Sequence, residues 1–385
     1  MSWPTERALA AAATALGGAL AAAAAALPQV AERAAASTWP SFRGDPQLTG
    51  VAATDLAASP SLLWTFQAGG GIESTSAIAD GRVYVGSLDG NLYAVNLADG
   101  SLAWKFSAGA PIKSSPSAFH GTIYFGDESG SFHAVDARGG GRRWSYRTGA
   151  AVASSATMAA GLIIFGSNDS SLYALKAEDG SLAWRVETGG YVYGAPALVD
   201  GLDEAAVASA GCDGFLRVVR VRDGSEIKKV ELGAYVGASP AVRGTRAFVG
   251  TFENEVLGID LTAGKVLWTY SHPERQFPFY SSAALGEGVL VVGGRDKIVH
   301  ALDPKSGKPI WTHSSRSRID ASPVIVGSRA LVATTGGEVL GLDLKSGRQV
   351  WSFESGSSFI ASPSVASGRL VIGASSGALY SFGAR

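Results

Sequence analysis

VASSATMAAGLIIFGSNDSSLYALKAEDGSLAWRV, residues 152–186, contains four short apolar runs separated by turns. Val152 to Met158 is rich in small residues and reads as an inner strand. Leu162-Ile163-Ile164-Phe165-Gly166 is a fully apolar second strand, and Ser171-Leu172-Tyr173-Ala174-Leu175 alternates as a third. Leu182-Ala183-Trp184-Arg185-Val186 is the fourth. Asn168-Asp169 and Asp179-Gly180 supply the hairpin turns, because Asn, Asp and Gly tolerate the backbone angles that tight turns require.

Working outward, the same unit recurs. Trp64, Trp104, Trp144 and Trp184 stand 40 residues apart, and Trp268, Trp311 and Trp351 continue the series after one degenerate copy in which Lys228 takes the tryptophan place. That makes eight positions. A 40-residue, four-strand repeat without intervening helices is the signature of propeller blades. One blade cannot bury both faces alone, and stacked neighbours can. Inner strands start near Ile72, Ile112, Val152, Val192, Val236, Phe279, Ile319 and Phe359. The last unit ends at Arg385 one strand short, and the missing strand stands at the other end as Leu62-Leu63-Trp64-Thr65-Phe66. The expected fold is therefore all-β: an eight-bladed β-propeller of four-stranded antiparallel blades, its ring closed by the strand around Trp64. Residues 61–385 form the propeller, with a lead-in over 37–60.

Residues 1–36 differ in character. Arg7 is followed by an uncharged, Ala-rich stretch from Ala8 to Leu27, and Ala34-Ala35-Ala36 precedes Ser37. A basic start, an apolar middle and a small-residue cleavage site make a secretory signal peptide. A plain Ala-rich tail is the alternative. No Cys accompanies the segment, so the expectation is an exported, periplasmic chain without a lipid anchor.

Composition narrows the function classes. Net charge is −1 with a pI near 6.5, and no run of like charge appears, so no nucleic-acid footprint is present. The single Cys212 allows neither an intramolecular disulfide nor a thiolate metal cluster. His120, His133, His272, His300 and His313 are scattered without metal-ligand spacing and read as packed or surface residues. Gly69-Gly70-Gly71 and Gly139-Gly140-Gly141 precede no helix and read as turns, which excludes a phosphate cradle. Asp200, Asp203 and Glu204 form a short acidic turn, a weak calcium candidate against the simpler reading of a solvated loop.

The run Ala301-Leu302-Asp303-Pro304-Lys305-Ser306-Gly307-Lys308-Pro309-Ile310-Trp311 resembles the A-x-D-x-x-T-G-K-x-x-W repeat of the pyrroloquinoline-quinone (PQQ) propeller superfamily. Gly258-Ile259-Asp260 through Trp268 and Gly341-Leu342-Asp343 through Trp351 do the same. The lead-in Trp39-Pro40-Ser41-Phe42-Arg43-Gly44-Asp45 resembles the segment that opens many members. No Trp-Asp dipeptide ends a repeat, so the WD40 pattern does not fit. The resemblance implies two branches. Quinoprotein dehydrogenases hold PQQ and Ca²⁺ on the axis. They are longer, carry insertions that cover the cofactor, and many have a vicinal Cys pair that one Cys cannot make. Here successive tryptophan positions are spaced 40, 40, 40, 44, 40, 43 and 40 residues, which leaves no such insertion. The non-enzymatic branch, typified by the outer-membrane assembly factor BamB, implies a periplasmic scaffold of about this length.

Departures from the repeat point to where a partner binds. One inner-strand position holds Glu73, Lys113, Ala153, Tyr193, Gly237, Tyr280, Asp320 and Ile360, a chemically mixed set expected to ring the channel mouth. The connections after Trp268 and Trp311 are unusual too, and Arg275, Gln276, Phe277, Arg316 and Arg318 are expected to lie side by side as a protein-binding patch. The leading expectation is a non-enzymatic, cofactor-free, monomeric BamB-like scaffold for a protein partner, a membrane-associated one included. A small-ligand sensor or carrier using the axial channel comes second, and a PQQ-dependent dehydrogenase third.

Overall fold

The computed structural model describes residues 37–385, and the expected export signal lies outside the described residues. In blade 1, strands Ala77–Ala79, Arg82–Gly86, Asn91–Asn96 and Leu102–Ser107 pair antiparallel in chain order from the axis outward. Six further blades repeat the plan. Blade 8 combines Ser364–Ala366, Arg369–Gly373 and Ala378–Gly383 with the amino-terminal strand Ser61–Gln67 as its outermost member, in the register Trp64↔Ser381 and Thr65↔Tyr380. The chain is an eight-bladed β-propeller, closed as its repeat arithmetic requires.

The tryptophans show why the repeat signature has its form. Each indole lies across the seam on the turn of the next blade. Trp311 Nε1–H donates to the Leu344 carbonyl at 2.9 Å, and its ring covers Gly347, where a Cβ would stand 2.6 Å from it. Gly347 also has a φ of +70°, so glycine is needed twice over. The same seat recurs at Trp64 on Leu97 and Gly100, Trp104 on Ala137 and Gly140, Trp144 on Ala177 and Gly180, Trp184 on Val221 and Gly224, and Trp268 on Pro304 and Gly307. Lys228 fills the degenerate seat by laying its methylene stem over Gly264. Trp351 meets the Pro60 carbonyl, so the closing seam uses the same contact between the two ends of the chain.

Two further rings lie nearer the axis. Ile72, Ile112, Val152, Val192, Val236, Phe279, Ile319 and Phe359 are buried, and each backbone N–H donates to a residue of the preceding blade, as Ile112 to Ser87 and Ile72 to Ala374. These residues therefore do not begin the inner strands as the sequence suggests. Each innermost strand starts five residues later, for example at Thr157 rather than Val152. The intervening backbone bonds sideways between blades instead of along a ladder.

The second ring is a belt of hydroxyls. The buried N–H of Ser322 donates to Ser362 Oγ at 2.9 Å, Ser362 to Thr75, Thr75 to Ser115, and Ser115 to Ser155. Ala195 donates to Ser239, Ser239 to Ser282, and Ser282 to Ser322. The belt breaks once, between blades 3 and 4, because Ala195 has no hydroxyl to accept from Ser155. Small residues thus sit here because buried amides need an acceptor at close quarters, as well as because space is short.

The lead-in crosses the axis and closes one end. Trp39 bridges Ile78, and the carbonyls of Pro40, Pro46, Gln47, Thr49 and Gly50 accept from Ala118, Leu198, Val242, Leu285 and Ile325. Val51–Ala52 then pairs parallel with the innermost strand of blade 7, Val324–Val326. Arg43 is fully buried in this cap and donates to the Ala283 carbonyl, and burial pushes its guanidinium down to about 9. The opposite end, formed by the blade-to-blade connections and the turns between second and third strands, is the mouth face.

Ser322→Ala should lower unfolding free energy by roughly 1–3 kcal/mol, because it strands the buried Ser282 amide. Ala195→Ser should raise it by about 1 kcal/mol by completing the belt. Chemical denaturation of the two variants checks both.

Candidate functional site

Eight copies of one unit provide an internal control: what the fold requires is repeated, and what it does not require stands out. On the mouth face, the residue just before each buried ring member is Gly71, Pro111, Ala151, Tyr191, Tyr235, Pro278, Arg318 and Ser358. Six blades use residues other than aromatics there. Blades 4 and 5 place Tyr191 and Tyr235, which are 50% and 60% exposed. Sequence reasoning missed both, although an alignment of this one column would have found them.

The position just after each buried ring member holds the mixed set. Tyr193, Tyr280, Ile360 and Lys113 are exposed, and Glu73, Ala153, Gly237 and Asp320 half-buried. All eight follow a buried anchor, so they stand in equivalent places around the mouth. Their side chains are partly committed to neighbours. Lys113 pairs with Glu128 at 3.3 Å. Asp320 takes a bidentate contact from Arg295 at 2.7 and 3.0 Å and a looser one from Arg318 at 3.4 Å. Arg295 lies over the Tyr280 ring at 3.5 Å, and that ring stacks on Phe252 at 4.5 Å. Burial alone would weaken the Arg295 charge, but Asp320 more than offsets it and holds the guanidinium above the usual arginine range.

The patch anticipated at blades 6 and 7 is contiguous with this cluster. The turn at Asp296 and Lys297 joins the two connections: Arg275 donates to the Asp296 carbonyl at 3.0 Å, and the Ser315 amide to the Lys297 carbonyl at 2.8 Å. Gln276 is exposed, and Phe277 is half exposed. Arg316 reaches Glu354 at 2.8 Å and Glu338 at 3.5 Å while staying largely in solvent. Among the described residues the exposed large apolar side chains fall into two groups. Leu62, Leu102, Leu182, Leu267, Ile310 and Val350 line the outer strands. Tyr191, Tyr193, Tyr235, Phe277, Tyr280 and Ile360 all stand on the mouth face, within blades 4, 5, 6 and 8.

The acidic turn of blade 4 lies at the opposite end of the blade. Asp200 and Asp203 are exposed, and Glu204 turns to Arg220 in a two-pronged ion pair. Among the described residues no three carboxylates, imidazoles or thiols converge as a metal site would require.

His133 and His300 are built into the blades. His133 Nε2 lies 2.8 Å from Asp127 Oδ2, and its ring stacks on Phe125. His300 lies between Asp296 at 3.0 Å and the Tyr270 hydroxyl at 3.0 Å. Both pairs are buried. Blades 1 and 3 fill the same place with Tyr93 on Asp89 and Tyr173 on Asp169, and blade 4 with Arg217 on Asp213 at 2.6 Å. A position taken in turn by His, Tyr and Arg serves to tie down a turn carboxylate. Burial would raise the Asp213 carboxyl, but hydrogen bonds from Arg217 and from the Gly189 and Phe215 amides outweigh it and hold it below the usual carboxylate range.

Comparison with known proteins agrees with this architecture. A family model described as outer membrane protein assembly factor BamB matches residues 49–190, 89–234, 197–318 and 254–385 in overlapping copies. Among solved structures, BamB from Moraxella catarrhalis is similar with a TM-score of 0.71 at 18% identity, covering 85% of this chain and 98% of that one. Quinohemoprotein alcohol dehydrogenase from Comamonas testosteroni is similar with a TM-score of 0.78 at 13% identity, covering 92% and 82%. The computationally designed Ika8 protein is similar with a TM-score of 0.72 at 16% identity, covering 84% and 99%. At these identities the structural likeness is one of fold alone. Among curated proteins no sequence match is found.

Arg217→Met should destabilise the protein by roughly 3 kcal/mol at pH 7, by leaving Asp213 buried and unpaired. The depressed Asp213 carboxyl contributes stability that is complete above the unfolded-state value of about 4 and is lost as pH falls through the folded-state value. The difference between wild type and variant should therefore shrink below about pH 4, as unfolding across pH would show.

Proposed function

The chain belongs to the family of outer membrane protein assembly factor BamB, and on that premise we propose that it is an exported, non-catalytic scaffold that holds a protein partner on the mouth face of its propeller. The observation that carries this reading is the exposed aromatic and apolar group on that face. Six large side chains stand in solvent there, at positions where most blades keep small or polar residues. Exposed apolar clusters rimmed by charge mark interaction surfaces, and aromatics with Arg are the residues interfaces favour. Arg275, Gln276, Phe277, Arg316 and Arg318 form the basic side of the surface, with Tyr280 and Tyr193 at its inner edge. The family description supports a partner concerned with outer membrane protein assembly.

The fit of a quinone cofactor to the axis argues the same way. A polycarboxylate quinone calls for cations free to receive it. Around the mouth Lys113 is held by Glu128, and Arg295 and Arg318 by Asp320. With these cations committed, the inner ring of the mouth does not fit the group. The one mouth connection longer than the repeat, from Trp268 to Phe279, exceeds it by only about three residues and supplies no cover of the kind a water-excluding site needs.

A photo-reactive residue placed at Phe277 in the full chain, expressed in its own cell envelope, should yield a discrete protein adduct that Arg316→Glu abolishes. The same residue at Val350 on the outer rim should give none. Equal adducts from both positions, or an adduct indifferent to Arg316, would overturn the reading. Saturating PQQ with Ca²⁺ should leave the unfolding temperature unchanged, whereas a clear rise would reopen the enzyme.

A further inference from the structure

One seam round the mouth from the Arg275 connection, between blades 4 and 5, lies a cavity of about 350 Å³. Its walls come from the blade 4 turn at Asp213, the end of the blade 4 outer strand at Glu231, the connection at Tyr235 and the blade 5 turn at Glu253, with Phe215 as a side wall. Phe215 and Tyr235 are not required by the fold. The place held by Phe215, at the head of each third strand, is taken elsewhere by Asn91, Ser131, Ser171, Glu255, Ile298, Glu338 and Ala378. The Tyr235 place is Gly, Pro or Ala in blades 1 to 3.

The chemistry of the walls selects the occupant. Asp213 is neutralised by Arg217, but neither Glu231 nor Glu253 has an ion-pair partner among the described residues. Lys229 already lies over the Phe215 ring at 3.9 Å. The ring left open is that of Tyr235, the most exposed large apolar side chain among the described residues. Carboxylates outnumber cations at the rim even with Arg217 and Lys229 counted. A cation entering here meets two unpaired carboxylates and an exposed tyrosine, each of which attracts organic cations. An anion meets repulsion.

We propose that this cavity receives a basic side chain, lysine or arginine, from the bound protein partner. The mouth face would then read opposite charges at two points: an arginine or lysine between blades 4 and 5 and, beside blade 6, a carboxylate at Arg275, which unlike Arg316 has no ion-pair partner among the described residues. That arrangement fixes the orientation of a docked segment as well as its affinity. The proposal deepens the scaffold reading and rests on it only for the choice of a protein as occupant.

The test uses the folded chain and two small probes, N-acetyl-arginine amide and its uncharged isostere N-acetyl-citrulline amide, in ligand-observed saturation-transfer NMR. The arginine probe should show transfer to its side-chain methylenes, weakened about fivefold for citrulline and in both Glu231→Gln/Glu253→Gln and Tyr235→Ala. Arg316→Gln, two seams round the mouth and outside the cavity lining, should keep full transfer. Unchanged unfolding midpoints in these variants confirm that the fold is intact. Equal transfer from both probes, or full transfer retained in the two cavity variants, overturns the proposal. The assay contains no partner, so its failure removes the cavity and leaves the scaffold reading standing. A failed crosslink at Phe277 does the reverse.

Discussion

Six of the eight seams depend on an indole lying over a glycine of the next blade and donating its N–H to a carbonyl beside it, while Lys228 over Gly264 and Trp351 on the Pro60 carbonyl serve the other two. The contact combines the two terms that make a large aromatic useful. Burial of an indole is worth on the order of 4 kcal/mol as an upper bound, and the N–H finds its acceptor rather than being stranded. It also explains the pairing of signature residues. The Gly of the turn is required both by its positive φ and by the ring above it, so the Asp-x-x-x-Gly turn of one blade and the Trp of the preceding blade form one unit split between neighbours. A repeat whose binding energy lies between units leaves two faces uncovered until the circle closes. That is why the amino-terminal strand and Pro60 supply the missing pieces for blades 8 and 7.

Inside the tryptophans, the structure is held by backbone amides that reach sideways. The ring at Ile72, Ile112 and their counterparts, and the hydroxyl belt below it, satisfy N–H groups that no strand ladder could reach. With the interior largely committed to these repeats, the exposed apolar departures away from the outer strands gather on the mouth face. There the exposed aromatics of blades 4 to 6 and the arginines of blades 6 and 7 have no structural counterpart in the other units, and an account of function has to begin with them.

The sequence disclosed the tryptophan period, the eight positions and the closing strand, because side-chain identity carries those features directly. It misplaced the inner strands by five residues. Ile72 and Val152 look like strand residues by hydrophobicity, yet their amides bond to an adjacent blade, and composition does not show where an amide points. The path of Trp39 to Ala52 across the axis was hidden for the same reason: its bonds run through main-chain carbonyls. At the candidate site, the mixed column from Glu73 to Ile360 and the patch at Arg275 and Arg316 were legible as departures from the repeat. Tyr235, Phe215 and Glu253 were not, because they come from three separate segments and only the fold brings them to one cavity.

The central claim is that the exposed aromatics of the mouth face serve binding and not folding. The unfolding free energy of a triple variant, Tyr191→Ala with Tyr235→Ala and Phe277→Ala, tests it most directly. The account predicts a change within about 0.5 kcal/mol per substitution, as for surface positions free of structural duty. A loss of roughly 3 kcal/mol or more per substitution, as for a core aromatic, would contradict it and return these residues to the architecture of the ring.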